Sequence, residues 1–189
     1  MERERWPADK ITKELKRSFT SDSELNDVAA KNMVKLTAAI HAKRDGMGIL
    51  PLSRTPRSIL MWSHYADQHR GICVEFSIPV SASLLQVLYS QNAPRFTLHD
   101  ILVKRNAEIL ALFTTKHQHW RYEQEYRVIL DQGDILHDVP GPITAVVFGL
   151  RTVPDDESLV RRVASGIDGV KFRRCTREPG RFGVRIEAA

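Results

Sequence analysis

The sequence predicts an α+β fold in which one mixed central β-sheet is flanked by three to four helices. Residues 1–47 have helical periodicity, whereas short apolar runs bounded by glycine or proline begin at Gly48 and alternate with further helical patterns. The 189 residues, 42% of them hydrophobic, are enough for one well-buried core. We therefore expect a helical segment at residues 1–47 and an α+β core at residues 48–189, together forming one domain.

The N-terminal segment contains two predicted helices. The first follows Pro7 and extends to about Phe19, with many charged residues. Residues 21–24 read Ser-Asp-Ser-Glu, which is capping-box spacing, so a second helix begins there and ends before Gly46. Its apolar residues share one face, which we expect to pack on the core: Leu25, Val28, Ala29, Met33, Leu36 and Ile40.

A strand, a helix and a second strand begin the core. Gly48–Ser53 is predicted to be the first strand. Ser58 can cap a helix that runs to about His69 and that Gly71 ends. Ile72–Phe76 follows at once as a strand, so the side chains of this helix are held close to the sheet.

Further helices and strands complete the predicted sheet. Ile143–Phe148 is almost entirely apolar, which indicates a central strand buried on both faces. The other predicted elements are a strand near Leu85–Tyr89, a helix from Thr97 containing Leu98, Ile101, Leu102, Ile109, Leu112 and Phe113, a strand at Trp120–Leu130, a helix at Asp155–Ser165, and a hairpin of Val170–Arg174 and Phe182–Ile186.

The charge is concentrated near the C-terminal end. The formal net charge is +5, and the stretch from Arg161 to Arg185 contains eight basic and two acidic residues. A one-sided basic patch attracts polyanions such as nucleic acid. The alternative is a solvated sheet face, because no nucleic-acid-binding motif accompanies the patch. The candidate nucleic-acid contacts are Arg161, Arg162, Lys171, Arg173 and Arg174.

Cysteine content and hydropathy narrow the class of protein. Cys73 and Cys175 are too few for a disulfide framework, and their spacing matches no metal motif, so we predict no metal site. No apolar run approaches the ~20 residues of a membrane span. The start of the chain is charged rather than signal-like. We therefore expect a cytoplasmic protein without a membrane partner.

Two segments that combine aromatic and ionisable side chains define the predicted site. Such segments can form a pocket with apolar walls and a few convergent polar groups. His64 can act as an acid or a base near neutral pH, although a packed histidine is the alternative. The candidate ligand-binding residues are Trp62, Tyr65, His69, Lys116, Trp120, Tyr122 and Arg127.

The predicted strand at Trp120–Leu130 carries the candidate carboxylates. Alternation would place Arg121, Glu123, Glu125 and Arg127 on one face, which is either solvent or the floor of a polar cleft. Glutamates two positions apart on a strand are about 7 Å apart. One of them can orient a ligand while the other stabilises positive charge or removes a proton. The alternative is an exposed ladder of paired charges.

The two segments resemble a known bacterial family, catalogued as domain of unknown function 2971. Leu60–Phe76 and Lys116–Arg127 resemble its signature segments, and Val146–Arg151 is similar to its third block. The resemblance covers roughly residues 48–187. Family members usually begin with a tyrosine-containing strand and a phenylalanine-asparagine-aspartate-proline segment. This chain offers only Leu25–Val28 as a counterpart, so we expect a member shortened at its N-terminus.

Two enzyme functions are compatible with these residues. Glu123-x-Glu125 resembles the glutamate pair of ADP-ribosyltransferases, which implies an aromatic cleft for nicotinamide adenine dinucleotide (NAD). By this resemblance Glu125 is the catalytic carboxylate and Glu123 its orienting partner, while His64 or Tyr65 contacts the ligand. A metal-dependent nuclease would instead combine both glutamates with Glu75 and Lys116.

The alternative class is a binding module. In that case the aromatic residues belong to the core, the charged strand is an exposed ladder, and the basic end binds nucleic acid or a protein. Convergence of His64 and Glu125 in one cleft would favour the enzyme.

Overall fold

A computed structural model describes residues 7–21, 24, 26–79, 84–95 and 106–189. The predicted α+β class is confirmed. Within these residues the α-helices are α1 (Ala8–Arg17), α2 (Asp27–Asp45), α3 (Ile59–Tyr65), α4 (Asn106–Thr114) and α5 (Pro154–Val163), and two 3₁₀ helices lie at Gln118–Glu123 and Ala164–Gly166. The strands are β1 (Gly48–Ser53), β2 (Ile72–Phe76), β3 (Leu84–Gln86), β4 (Leu88–Ser90), β5 (Thr115–His117), β6 (Glu125–Leu130), β7 (Ile143–Phe148), β8 (Lys171–Arg177) and β9 (Val184–Ala188).

The described strands form three sheets. The four-stranded sheet has the order β2-β7-β8-β9 and is mixed, because β7 and β8 are parallel while its other pairs are antiparallel. A second sheet, β1-β6-β3, is antiparallel throughout. Strands β4 and β5 form a short parallel pair. The second sheet and this pair provide the strands of the candidate site.

The core lies on the four-stranded sheet. Strand β7 is buried from Ala145 to Phe148, which confirms the predicted central strand. On one face Trp62 of α3 packs with Val147, Cys175 and Val184. Burial raises the pKa of the Cys175 thiol to about 12, so this thiol remains protonated at neutral pH. The core thus fixes α3 against the sheet.

Helix α2 begins later than its predicted capping box. Asn26 is the cap, and its side chain accepts a hydrogen bond from the Ala29 backbone N–H at 2.9 Å. No residue of the helix is buried: Ala29, Met33, Leu36 and Ile40 of the predicted apolar stripe are half-buried, whereas Val28 is exposed. Gly46 follows the helix as predicted. Several predicted residues lie outside the described part of the chain: Asp22, Ser23, Leu25, Thr97, Leu98, Ile101 and Leu102.

Helix α3 begins as predicted and ends earlier. Ser58 caps it by accepting a hydrogen bond from the Met61 N–H. The helix ends at Tyr65, so the predicted extension to His69 is wrong. Tyr65 and His69 therefore do not share a helical face.

A left-handed turn connects α3 to β2. Its three residues have φ values of 43°, 52° and 70°, in the order Asp67, Gln68 and His69. This conformation costs an L-residue roughly 1–2 kcal/mol, so surrounding contacts must hold it. The His69 N–H donates to the Trp62 carbonyl, and the His69 carbonyl accepts from the Arg151 N–H at 2.9 Å. A Cβ at Gly149 would lie 2.1 Å from the same carbonyl oxygen, so only glycine fits there.

The predicted strand at Trp120–Leu130 is wrong in its first half. Residues Gln118–Glu123 form a 3₁₀ helix, Gln124 is left-handed with a φ of 45°, and β6 begins only at Glu125. The Gln124 N–H donates to the Arg121 carbonyl and closes the turn. The predicted alternation of faces therefore fails, and Glu123 and Glu125 are not two positions apart on one strand.

Candidate functional site

The candidate site is a network of charged side chains where the 3₁₀ helix meets β5 and β6. Glu123 is 3% exposed and Glu125 is 5% exposed. Lys116 of β5 donates a hydrogen bond to Oε2 of Glu123, and its Nζ lies 3.1 Å from Oε2 of Glu125. One ammonium group therefore bridges two buried carboxylates.

Arg127 and Tyr65 complete the network. Arg127 Nε donates to Oε1 of Glu125 at 2.7 Å, and Nη2 donates to Oε2 at 3.2 Å. Arg127 also donates to the carbonyl of Phe113. The Tyr65 hydroxyl donates to Oε1 of Glu123 at 2.9 Å. Each carboxylate oxygen thus accepts at least one hydrogen bond, as burial of charge requires.

Two neighbouring strands fix the backbone on either side of Gln124. Ser53 at the end of β1 donates its hydroxyl proton to the Glu123 carbonyl at 2.7 Å. The Tyr89 hydroxyl on β4 accepts the Glu125 N–H at 2.8 Å. These bonds hold both glutamates in position although a left-handed residue separates them.

The electrostatics keep the network charged. Burial alone would raise the pKa of Glu125, but hydrogen bonds and charges from Arg127 and Lys116 outweigh burial and leave that pKa below its ordinary value. Burial would lower the pKa of Lys116, and the two carboxylates overcome it and raise that pKa. The hydrogen bond to Glu123, followed by burial, raises the pKa of Tyr65. At neutral pH the network therefore contains a Glu125 carboxylate, a Lys116 ammonium and a neutral Tyr65 phenol.

An aromatic rim lies beside the network, formed by Trp120, Tyr122, His64 and Tyr65. Successive ring centroids lie 6.0, 6.2 and 6.3 Å apart in that order. Trp120 is 40% exposed and Tyr65 is 62% exposed. The Lys116 ammonium lies 4.9 Å from the centroid of the Trp120 ring. Ring faces accessible to a ligand thus adjoin a charged, buried floor.

The structure brings most of the predicted site residues together. The predicted catalytic residues Glu123 and Glu125 both accept hydrogen bonds from Lys116. The His64 ring contacts the ring of Tyr65, whose hydroxyl donates to Glu123. His64 and Glu125 therefore belong to one continuous set of contacts. Arg127, Trp120 and Tyr122 belong to the same set.

Trp62 and His69, which were predicted to bind ligand, belong to the core and the left-handed turn instead. Trp62 is 3% exposed, and its indole N–H donates to the Pro56 carbonyl at 2.7 Å. The His69 ring stacks on Trp62, with centroids 6.4 Å apart, and its Nε2 lies 3.1 Å from the Ser63 hydroxyl. Burial, followed by the charge of Arg151, lowers the pKa of His69. These contacts support the turn.

Sequence reasoning missed Ser53 and Tyr89. Their partners, Glu123 and Glu125, lie 70 and 36 residues away along the chain. Neither residue stands in a local pattern that signals such a role.

Three of the five predicted nucleic-acid contacts are ion-paired. Arg161 donates to Glu157 one helical turn away, at 2.8 Å, and Arg174 of β8 donates to the other oxygen of the same carboxylate. Arg173 donates to Glu75 of β2 at 3.0 Å. These contacts reduce the positive charge that this end presents.

The rest of the basic end combines an arginine packed on aromatic rings, two exposed cations and a shallow depression. The Arg161 guanidinium lies over the rings of Phe172 and Phe148, 4.5 and 5.3 Å from their centroids. Arg162 and Lys171 are exposed. A shallow depression of about 350 Å³ lies on β8 and β9, lined by Lys171, Phe172, Arg173, Ile186, Glu187 and Ala188.

The residues predicted for a metal-dependent nuclease do not lie together. Glu75 accepts hydrogen bonds from Thr144 at 2.6 Å and from Arg173, so it is held on the four-stranded sheet rather than beside Glu123 and Glu125. Among the residues that the structure describes, no group of three or more His, Cys, Asp or Glu side chains is placed to hold a metal ion. Within the same residues, no helix has the length and apolar content to cross a membrane.

One sequence comparison finds a match. Residues 61–128 match the model of a family described as "Protein of unknown function (DUF2971)". No curated protein and no solved structure matches the chain. The matched segment contains all side chains of the charged network and the aromatic rim, whereas the predicted third block, Val146–Arg151, lies beyond it. Over residues 61–128 the chain is therefore similar to this family, and the resemblance predicted from the two signature segments is confirmed.

Proposed function

We propose that the charged network is the active site of an enzyme that breaks or transfers the glycosidic bond of a nucleotide such as NAD. The observation that carries the proposal is the position of two buried carboxylates directly beside an exposed aromatic rim. Ligand sites commonly combine aromatic walls with a few fixed polar groups.

Glu125 has the properties of a carboxylate that stabilises a cationic transition state. When the bond between ribose C1′ and the nicotinamide nitrogen breaks, the electron pair stays on nicotinamide and positive charge develops on the ribose. A fixed carboxylate stabilises such charge most strongly where water is excluded. Because Arg127 and Lys116 hold the pKa of Glu125 below its ordinary value, this carboxylate is ionised at neutral pH. Water or an acceptor hydroxyl then adds to C1′ and releases its proton to a carboxylate or to solvent.

Glu123 acts beside Glu125 from the end of the 3₁₀ helix. Its carboxylate accepts hydrogen bonds from Tyr65 and Lys116, which connects the aromatic rim to the charged floor. This arrangement supports a role in orienting the ligand relative to Glu125. Tyr65 and His64 are then the rim residues nearest to the bound ribose.

The aromatic rim supports recognition of a base. Trp120 and Tyr122 present adjacent rings, and stacking of one base on an aromatic side chain contributes about 1–3 kcal/mol. Binding of nucleic acid at the basic end receives less support, because Arg161, Arg173 and Arg174 already pair with carboxylates.

The experiment measures nicotinamide release from NAD together with ligand-dependent thermal stability. A ligand present at 100 times its Kd adds about 2.7 kcal/mol to the free energy of unfolding. We expect NAD to stabilise the protein and to be cleaved. Glu125→Gln should lower the rate at least 100-fold while binding persists, and the exposed Glu187→Gln is the matched control. The proposal fails if NAD, ADP-ribose and adenosine phosphates neither stabilise the protein nor react.

A further inference from the structure

We propose that strand β9 pairs antiparallel with the same strand of a second copy of this chain, so that two four-stranded sheets join into one continuous sheet. Strand β9 (Val184–Ala188) is an edge of its sheet, and within the described residues it pairs with β8 alone. The backbone groups of an edge strand are a template for pairing with another chain. This surface belongs to a different sheet from Glu125, and the proposal is independent of the proposed function.

Alternate residues of β9 turn their backbone groups toward β8 and away from it. The Ala189 N–H donates to the Phe172 carbonyl at 3.1 Å, and the Gly183 carbonyl accepts from the Glu178 N–H at 3.0 Å. Because hydrogen-bonded and non-hydrogen-bonded pairs alternate along an antiparallel ladder, the odd-numbered residues of β9 bond β8. The N–H and C=O groups that point outward therefore belong to Val184, Ile186 and Ala188.

Other sheet edges in the described part of the chain are shorter or interrupted. Strand β1 contains Pro51, which has no N–H to donate. The pairing of β2 shifts in register between Glu75 and Phe76. Strands β3, β4 and β5 have three residues each. Strand β9 has five residues, contains no proline and pairs with β8 without a shift in register, so it is the edge best suited to pairing.

The charges of β9 select one register for this pair. Outward-facing residues pair with each other, so the pair can be centred on Arg185, Ile186 or Glu187. Centring on either charged residue places like charges opposite each other, which destabilises a sheet. Centring on Ile186 places Arg185 of each copy opposite Glu187 of the other, as the two-fold symmetry of a dimer requires. Within the described residues both side chains are exposed and form no ion pair, so both are available for this contact.

The same register brings an exposed ring to the depression on β8 and β9. Phe182 is fully exposed. Arg173 lies opposite Ala188, so Lys171 lies one pair further along, level with Phe182 of the second copy. Lys171 lines the depression of about 350 Å³, whose apolar lining consists of Phe172, Ile186 and Ala188. Dimerisation therefore offers the ring of Phe182 an apolar surface that the monomer does not.

The contact is small, so the dimer is expected to exchange with the monomer. Stable interfaces bury about 1,200–2,000 Å². A strand of five residues and one phenylalanine provide less. In dilute solution the monomer therefore predominates and the charged side chains of β9 are solvated. Glu187→Gln is not expected to change stability or activity under those conditions.

Sedimentation equilibrium of the full chain at concentrations up to about 1 mM detects a dimer whose Kd is as weak as that value. We expect the wild type to dimerise. Arg185→Glu places like charges opposite each other and should raise the Kd at least about 10-fold. Combining it with Glu187→Arg restores opposite charges and should return the Kd toward that of the wild type. Arg162→Glu makes the same change in net charge at an exposed position of α5 and is the matched control.

Disulfide formation under oxidised glutathione tests the register directly. In the Ile186-centred pair, residues 185 and 187 of the two copies form a non-hydrogen-bonded pair, with Cα atoms about 4.5 Å apart. A disulfide spans that separation. We expect an intermolecular disulfide when Arg185→Cys and Glu187→Cys chains are mixed, and none with Arg185→Cys alone. The wild type controls for Cys73 and Cys175.

A wild-type dimer whose Kd follows the charge reversal and its restoration, together with the mixed disulfide, supports the proposal. A wild type that stays monomeric up to about 1 mM overturns it, and is the result expected if another segment or another protein covers this edge. Equal changes of Kd in Arg185→Glu and Arg162→Glu also overturn it, because net charge would then govern association. Disulfides between Arg185→Cys chains would show a different register and contradict the proposal. None of these results depends on NAD, so the proposed function is tested separately.

Discussion

Two regions of this molecule combine arginine or lysine, glutamate and aromatic rings, and they do so in opposite ways. In the charged network the carboxylates of Glu123 and Glu125 are buried, and the rings beside them face solvent. At the basic end the rings of Phe148 and Phe172 lie beneath the guanidinium of Arg161. Phe148 is buried and Phe172 half-buried, whereas Trp120 and Tyr65 are 40% and 62% exposed, so the rings of the first region are the more accessible to a ligand. The first region is therefore expected to govern binding, and the second to govern stability.

The largest expected effect is loss of stability from Glu125→Ala. This change leaves Arg127 without its carboxylate in a mostly buried site, and breaking a buried ion pair costs about 3–5 kcal/mol. The corresponding change at the basic end, Glu157→Ala, should cost less, because its partners Arg161 and Arg174 are about one-third exposed and water solvates them when the carboxylate is lost. Urea denaturation of both variants measures the difference. Equal losses would remove the energetic distinction between the two regions.

Phe172→Ala is expected to have the next largest effect. The ring stacks on Phe148, with centroids 6.0 Å apart, and supports Arg161, but it is only partly buried. Its loss should lower the free energy of unfolding by about 2–3 kcal/mol, near the lower end of the range for large-to-small substitutions. Thermal denaturation measures this loss. Nucleotide binding should be unchanged in the folded variant, and weaker binding would show that the basic end contributes to recognition.

Trp120→Ala is expected to weaken nucleotide binding while leaving stability nearly unchanged. The ring is 40% exposed, so its removal should change stability by less than about 1 kcal/mol, as for most surface substitutions. Loss of one stacked base should weaken nucleotide binding by about 10- to 100-fold, equivalent to about 1.4–2.7 kcal/mol. Equilibrium titration with a nucleotide and a parallel unfolding measurement give both values. A stability loss with unchanged affinity would place Trp120 among the structural residues.

The smallest effect concerns the pH dependence of stability. The folded-state pKa of Glu125 lies below its ordinary value of 4.5, so its stabilisation is fully present above that value and is lost as pH falls below it. The pKa of Lys116 is raised above 10.5, so its contribution is complete below that pH and is lost as pH rises through the raised value. We expect Glu125→Gln to flatten the acid limb of a plot of unfolding free energy against pH. Glu187→Gln, at an exposed position of β9, serves as the control.

The sequence predicts those parts of the fold that local chemistry determines. Ser58 caps α3 because its hydroxyl accepts a hydrogen bond from the Met61 N–H, and the apolar run at Ile143–Phe148 favours the buried strand that the structure contains. The first half of Trp120–Leu130 was mispredicted because alternation is a local signal, whereas long-range contacts with Ser53 and Tyr89 hold the backbone around Gln124. Glutamine gives no signal for the left-handed φ of Gln124.

The sequence predicts which residues form the candidate site, but not which of them contact one another. The aromatic and ionisable residues of the two segments do assemble, because Tyr65 and His64 of α3 contact Glu123 and Tyr122 of the 3₁₀ helix. The bond between Tyr65 and Glu123 spans 58 residues, and no sequence pattern encodes that distance. Lys116 bridges both glutamates only because the 3₁₀ helix brings β5 and β6 together.

The left-handed turn at residues 67–69 also limits how short a folded fragment of this protein can be. Its carbonyl at His69 accepts from Arg151, and the Gly71 carbonyl accepts from the N–H of Gly149 and from the Thr152 hydroxyl. These three partners lie downstream of residue 128, where the family match ends. A fragment cut to the matched segment would lose the contacts that hold the turn, and with them the placement of Tyr65. The unit that folds is therefore longer than the unit that sequence similarity defines.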